Sequence, residues 1–331
     1  MPKIKEYTKN INSNIYLAAA EVLGISYEEI DGRIRYYRFS QGNKELNLFD
    51  TTFSFNDSVA YRLVMNKYAT SRLLEKQNIP VPGSSLFDIT PDGITPDETE
   101  AIIAEAKKMY PVVIKPHNLS LGKGVFVNLK TEEDLRSALN QFSTLALKKL
   151  MLEEFVSGTD YRIITLNGKV IDIVERVAAF VSGDGKSNLN LLIENKNKVR
   201  AEQELPLIVM DAASLDFLSR QGLDPEHIPG EGRKITLKGV SNIAAGGETK
   251  RINLNSVPEQ NLELFARIGK EMRLFLAGID LIANDVTKDI RESGGKINEV
   301  NSNPHPDVNY FADMELSLGV AKIIFKEYFG I

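Results

Sequence analysis

The chain has 331 residues, 43% hydrophobic and 26% charged, which suits a globular protein with a sizeable core divided into two or three lobes and argues against disorder. With 40 basic and 45 acidic residues the net charge is −5, and no polycationic block marks nucleic acid as the main partner. There is no cysteine and there are three histidines (His117, His227, His305), so disulfides and cysteine nucleophiles are excluded and little is left for a zinc site.

No long apolar stretch follows Met1 to Lys5, and no run approaches a membrane span; the expectation is a soluble, cytoplasmic protein without a signal peptide. Residues 1–56 read as a small α/β lobe with a helical pattern over Asn14 to Leu23. Asp57 to Asn78 reads as a helix striped by Val59, Leu63, Tyr68 and Leu73, stopped by Ile79-Pro80-Val81-Pro82-Gly83. Thr95-Pro96-Asp97-Glu98 is a capping box that opens a helix to about Met109. Pro111 to Pro116 is a short buried strand, Val125 to Val127 another, and Thr131 caps a helix to about Gln141. From Met151 the chain turns to strands, with Asn167-Gly168 marking a type I′ hairpin between Tyr161–Leu166 and Lys169–Val177. Residues 186–234 form a charged, proline-punctuated insertion whose path the letters do not trace. A helix over Val257 to Leu276 precedes two strands, Gly278–Ile282 and Ile297–Asn301.

Chemistry enters through a few groups. Glu299 and Asn301 lie two apart on a strand and so share a face, offering hard oxygen ligands. Asp280 interrupts an apolar strand, at a free-energy cost unless a cation or donor compensates it. Lys115 ends a buried strand, and the loop His117 to Val125 sets Gly122 and Gly124 around Lys123, a composition that lets backbone N–H groups approach phosphate. That loop fits neither a Walker A motif nor a dinucleotide fingerprint. Glu153-Glu154-Phe155-Val156 leads into a glycine bend and Asp160, a hinge whose backbone can read an adenine edge while the carboxylate takes ribose hydroxyls. Ser241 to Gly247 is a small, flexible turn. Each feature also has a plainer reading, as solvated acids, a snorkelling lysine or ordinary turns, and the residues alone leave those readings open.

In order, Lys67, Lys115, the glycine loop, the Glu-Glu-Phe hinge, Asp160, Arg176, the Ser-Asn…Gly-Gly turn, Asp280 and Glu299-x-Asn301 resemble the ATP-grasp superfamily. Asn66-Lys67-Tyr68, Leu152 to Arg162, Gly183-Asp184-Gly185-Lys186 and Glu299 to Pro304 look most like the ligase domains of bifunctional glutathione synthetases and cyanophycin synthetases. The resemblance covers roughly residues 56 to 310. The cysteine-ligase and Mur-ligase-like domains of those relatives are not part of it, residues 1–55 match nothing in it, and Glu248-Thr249-Lys250-Arg251 stands where relatives carry an Asp-rich segment.

The resemblance implies an α/β (α+β) ATP-grasp fold, two α/β lobes gripping ATP with a small N-terminal lobe (1–56, 57–150 and 151–331). It implies ATP contacts from Lys67, Lys115, Gly122, Lys123, Gly124, Glu153, Glu154, Phe155, Val156 and Asp160, with the glycine loop as lid. Asp280, Glu299 and Asn301 would hold two magnesium or manganese ions. Arg176, Asn242, Gly246 and Gly247 would stabilise the reacting acyl group, and Arg162, Asn303 and His305 would meet substrate. The implied activity is an ADP-producing carboxylate–amine ligase acting on an amino acid or peptide and an amine, in a homo-oligomer without nucleic-acid or membrane partners. A small-molecule kinase and a non-catalytic nucleotide-binding protein are the alternatives.

Overall fold

The computed structural model describes residues 6–306 and 314–331, except 91, 120, 121, 204, 240 and 242. The chain folds into two compact units, one of Met1–Thr51, Asp172–Leu254 and His305–Ile331, the other of Thr52–Ile171 and Asn255–Pro304.

The first unit begins with α1 (Ile11–Leu23) and an antiparallel sheet of β1 (Ser26–Asp31), β2 (Tyr36–Gln41) and β3 (Lys44–Phe49). Asn10 caps α1 by accepting from the Ser13 N–H, and Gly24 ends it at φ 67°, where a side chain would be strained. The β2–β3 register sets Tyr37 opposite Leu48 and Phe39 opposite Leu46, so two apolar pairs share one face and are fully buried. Tyr16 of α1 and Phe325 of the C-terminal helix complete this core, with ring centroids 6.0 Å apart, and Phe325 lies 4.9 Å from Phe39.

The second unit takes up the chain with β4 (Thr52–Phe53), α2 (Ser58–Val64) and α3 (Lys67–Lys76). These two helices replace the single one expected over Asp57 to Asn78. Asp57 caps the first, and Asn66 accepts from the Ala69 N–H to start the second. The restart shifts the helical phase, so Ala60, Val64, Thr70, Ser71 and Leu74 are buried while Val59, assigned to the apolar stripe, is exposed. Then follow β5 (Ser84–Asp88), α4 (Pro96–Ala106), β6 (Val112–Lys115), β7 (Phe126–Leu129), α5 (Glu132–Ser143) and β8 (Lys149–Glu154). Capping boxes at Thr95 and Thr131 open α4 and α5. The strands form a sheet in the order β5-β8-β6-β7, and Ile102, Ile103, Leu135, Leu139 and Phe142 of the helices bury Val112, Ile114, Leu150 and Leu152.

β9 (Thr159–Leu166) turns at Asn167 and Gly168, both at positive φ (47° and 71°) as a type I′ turn requires, into β10 (Lys169–Val177). The insertion whose path the sequence left open is an ordered part of the first unit. Here β11 (Phe180–Ser182), α6 (Leu189–Glu202), α7 (Ala212–Ser219) and β12 (Lys234–Thr236) enclose Val181, Leu189, Ile193, Ile208, Leu218 and Ile235. β13 (Glu248–Arg251) pairs with β10. The second unit resumes with α8 (Glu259–Glu271), β14 (Leu276–Ala283) and β15 (Lys296–Asn301), β14 lying antiparallel to both β9 and β15. The first unit ends with α9 (Met314–Phe329). Among the described residues no helix is long and apolar enough to cross a membrane.

Phe325→Ala should cost about 3–5 kcal/mol, read as a lowered midpoint in urea unfolding. Asp211, the N-cap of α7, sits 2.8 Å from the Lys238 ammonium, whose hydrogen bond holds the carboxyl at about 2 against an ordinary 3.8. The folded state therefore binds this proton more weakly than the unfolded chain, so the contribution is full above pH 3.8 and is lost as pH falls towards 2. Lys238→Met should shrink that acid-side loss, measured by unfolding at a series of pH values.

Candidate active site

The antiparallel strands β9, β14 and β15, neighbours in that order in one sheet, assemble the acidic centre. Register places Asp280 opposite Arg162 on one side and opposite Glu299 on the other. The Asp280 carboxylate is buried and accepts from Arg162 Nε at 2.5 Å and Nη2 at 3.3 Å, and from Asn301 Nδ2 at 3.4 Å. Glu299 accepts from Lys67 Nζ at 2.7 Å through Oε1. Asp280, Glu299 and Asn301, read as metal ligands, are thus neighbours, and Arg162, read as a substrate residue, is bonded to Asp280.

Asn56 is a residue the sequence reading missed. Its side chain accepts from the Phe275 N–H at 2.8 Å and donates to the Leu276 carbonyl at 3.0 Å and the Ser302 carbonyl at 2.6 Å. It thereby clamps the start of β14 to the end of β15. An asparagine between an aromatic cluster and a helix N-cap carries no sequence pattern that reveals this.

Lys115 and Glu153 form a second, deeper pair. Val113 lies opposite Glu153 in the β6–β8 ladder, so Lys115, two residues on, shares the face of Glu153 and reaches it diagonally. Nζ and Oε2 are 2.5 Å apart, with side chains 6% and 4% exposed, and Asn298 Oδ1 is 3.5 Å from the same ammonium. Burial pushes the Glu153 carboxyl up and Lys115 pulls it back down. At the hinge the Glu154 N–H donates to the Gly83 carbonyl at 2.8 Å and the Phe155 N–H to Pro111 at 2.9 Å; Val156 follows in irregular chain. Gly158, at φ 151°, lets the chain pass β14, where a Cβ would lie 2.9 Å from the Ala283 backbone. Asp160 then lies on β9 opposite Ile282.

Gly122 and Gly124 both have positive φ, Lys123 is exposed, and the loop's first residue is tied to α3 by the Lys67 N–H donating to the His117 carbonyl at 2.8 Å. Burial, with the Lys149 and Lys67 charges, lowers the His117 pKa and favours its neutral ring.

In the first unit, Arg176 of β10 lies opposite Thr249 of β13, immediately after the Gly246-Gly247 turn. Gly246 is buried at φ 91°, and a Cβ there would fall 2.6 Å from Ile208 Cγ1. Asn242, read as a member of this turn, lies outside the described residues. Arg200 of α6 is the residue that sequence reasoning missed here. Buried at 3% exposure, it donates to the Gly247 carbonyl at 3.2 Å and the Pro206 carbonyl at 2.7 Å. Asn303 in the second unit donates to Thr52 Oγ1 at 3.2 Å, and His305 in the first unit lies 3.3 Å from Thr51 Oγ1.

Residues 64–228 match the RimK-like ATP-grasp domain. Residues 64–228 therefore carry a RimK-like ATP-grasp domain, which agrees with the ATP-grasp resemblance of the ordered series of residues. It is 28% identical over 260 residues to a cyanophycin synthetase of Synechocystis sp., covering 77% of this chain and 29% of that protein. It is 30% identical over 293 residues to a glutathione biosynthesis bifunctional protein of Streptococcus mutans, covering 85% and 37%. The crystal structure of a bifunctional glutathione synthetase from Pasteurella multocida superposes with a TM-score of 0.66 at 24% identity, covering 96% of this chain and 44% of that one, and it shares the fold. The chain spans about a third of the length of the curated relatives it matches.

The buried pair makes a testable statement about stability. Lys115→Met should destabilise by about 3–5 kcal/mol because it strands the Glu153 carboxylate, whereas Lys115→Met with Glu153→Leu should recover most of that loss. A double-mutant cycle in urea measures both.

Proposed function

We propose that the protein is an ATP-dependent carboxylate–amine ligase that makes an amide bond and yields ADP and phosphate. The observation that supports this most is the neighbouring set Asp280, Glu299 and Asn301 in a chain with a RimK-like ATP-grasp domain. Two carboxylates and an amide are hard oxygen donors, and this small set fits magnesium that shares its remaining coordination with nucleotide phosphates and water. When bound, that cation would neutralise charge on the phosphates during phosphoryl transfer.

The chain's own residues do the positioning. Arg162 orients the Asp280 carboxylate through both oxygens. Lys67 and Lys115 supply cationic charge for nucleotide phosphates. The Glu153 to Val156 hinge takes adenine, and Asp160 takes the ribose. Lys123, between Gly122 and Gly124, faces solvent and is available to an incoming phosphate. Arg176 and the Gly246-Gly247 turn stabilise negative charge on the acyl group, first as the carboxylate takes the phosphoryl group and then as the amine attacks and phosphate leaves. Holding the two reactants in line is worth roughly 7–11 kcal/mol of the barrier.

Purified protein with ATP, magnesium and combinations of amino acids and short peptides should release phosphate only when both a carboxylate and an amine substrate are present. ADP formation without amine-dependent phosphate release would instead indicate a kinase, and no turnover with any pair a nucleotide-binding protein. Glu299→Ala should abolish phosphate release while leaving the far-ultraviolet circular dichroism unchanged; retained turnover would refute the metal assignment.

A further inference from the structure

The two acids that face each other across β14 and β15 are compensated in different ways. Asp280 faces Arg162 directly across a ladder that runs from Leu276 opposite Leu166 to Ala283 opposite Thr159. The guanidinium fork meets both carboxylate oxygens, with side chains 11% and 8% exposed. Gly278, on the same strand face as Asp280, opens the notch for it, since a Cβ there would lie 3.0 Å from Arg162 Nη1 and 2.8 Å from Pro304 Cβ. A planar fork held by fixed register keeps its carboxylate.

Glu299 is held otherwise. Among the described residues its ion-pair partner is one ammonium, reaching one oxygen from the first residue of a helix that lies outside the three strands β9, β14 and β15. Lysine is a point charge on a flexible stem and can move to another anion by rotating side-chain bonds alone. The helix start beneath it is fixed independently by the Asn66 cap and by the Lys67 N–H bond to His117, so that movement leaves the backbone in place.

We propose that Lys67 is an exchangeable counter-ion of Glu299 that makes divalent-cation binding at Asp280 and Glu299 conditional on a nucleotide phosphate. This rests on the metal assignment above. Lys67 and Arg162 together balance Glu299 and Asp280, so the quartet is neutral. A bare divalent cation must enter beside the Lys67 ammonium or displace it, and in a site this little exposed the repulsion is weakly screened. A phosphate gives Lys67 a second anion to pair with and releases Glu299 Oε1 to the cation. Cation and nucleotide therefore bind with positive coupling, and the coupling is reciprocal.

The test is Mn2+ binding to the full chain, followed by electron paramagnetic resonance of the free ion, with and without ADP. Wild type should bind Mn2+ alone weakly and bind it at least about tenfold more tightly with ADP. Lys67→Met should bind Mn2+ alone about tenfold more tightly than wild type and lose most of the ADP effect, whereas Lys67→Arg should keep the weak binding. Adding Glu299→Gln to Lys67→Met should remove the gain. If Lys67→Met binds Mn2+ alone no better than wild type, while Glu299→Gln still abolishes ADP-dependent binding, the counter-ion role is wrong and the metal assignment stands. If Glu299→Gln leaves ADP-dependent Mn2+ binding intact, the metal assignment fails and the counter-ion role with it.

Discussion

Asp280 lies on β14, which pairs antiparallel with two strands, and stands between Arg162 on one neighbour and Glu299 on the other. A buried carboxylate is tolerable there because a guanidinium reaches both its oxygens and the Asn301 amide adds a further hydrogen bond. Much of the surrounding geometry serves that contact. Gly278 makes room for the arginine, and Asn56 pins the two strand ends that set the register. A shift of the β14–β15 pairing by one residue would turn Glu299 and Asn301 to the opposite face. The irregularity in that ladder, between Asp280 and Leu281, comes immediately after the Asp280–Glu299 pairing, where β14 continues to Leu281 opposite Ile297.

The Lys115–Glu153 pair follows a related logic at greater depth. Two charged side chains on adjacent buried strands cost solvation that their mutual attraction only partly returns, so the pair is poor evidence for stability as such. Its location is informative instead. Glu153 begins the segment read as the adenine hinge, and Asn298, beside Glu299, contacts the same lysine. A charge change at the hinge would therefore be felt at the strand that carries Glu299, through one shared ammonium.

The first unit solves a different problem. A turn with two consecutive glycines is inexpensive to bend but entropically costly to hold still. Burial of Gly246 against Ile208 and the hydrogen bond from Arg200 to Gly247 hold this one, and both partners come from the insertion that looked featureless in the sequence. The insertion is therefore part of what shapes the turn.

What was legible in the sequence was local or ordered along the chain. The capping boxes at Thr95 and Thr131 and the Asn167-Gly168 turn are settled by a few neighbouring residues, and each forms as expected. The ATP-grasp fold was legible because a series of phosphate-, hinge- and metal-type residues in fixed order is far more specific than any one of them. The helix expected over Asp57 to Asn78 failed because Asn66 could be read either as a polar helix residue or as a cap, and packing chose the cap. Glu299 and Asn301 could be assigned to one strand face from their spacing, since alternation is a local property of extended chain. That Asp280 stands opposite Glu299, that Arg162 and Lys67 are their counter-ions and that Glu153 meets Lys115 was decided only by tertiary structure. Those contacts depend on strand register and helix placement between segments far apart in the chain, and no periodicity in one segment encodes its alignment with another.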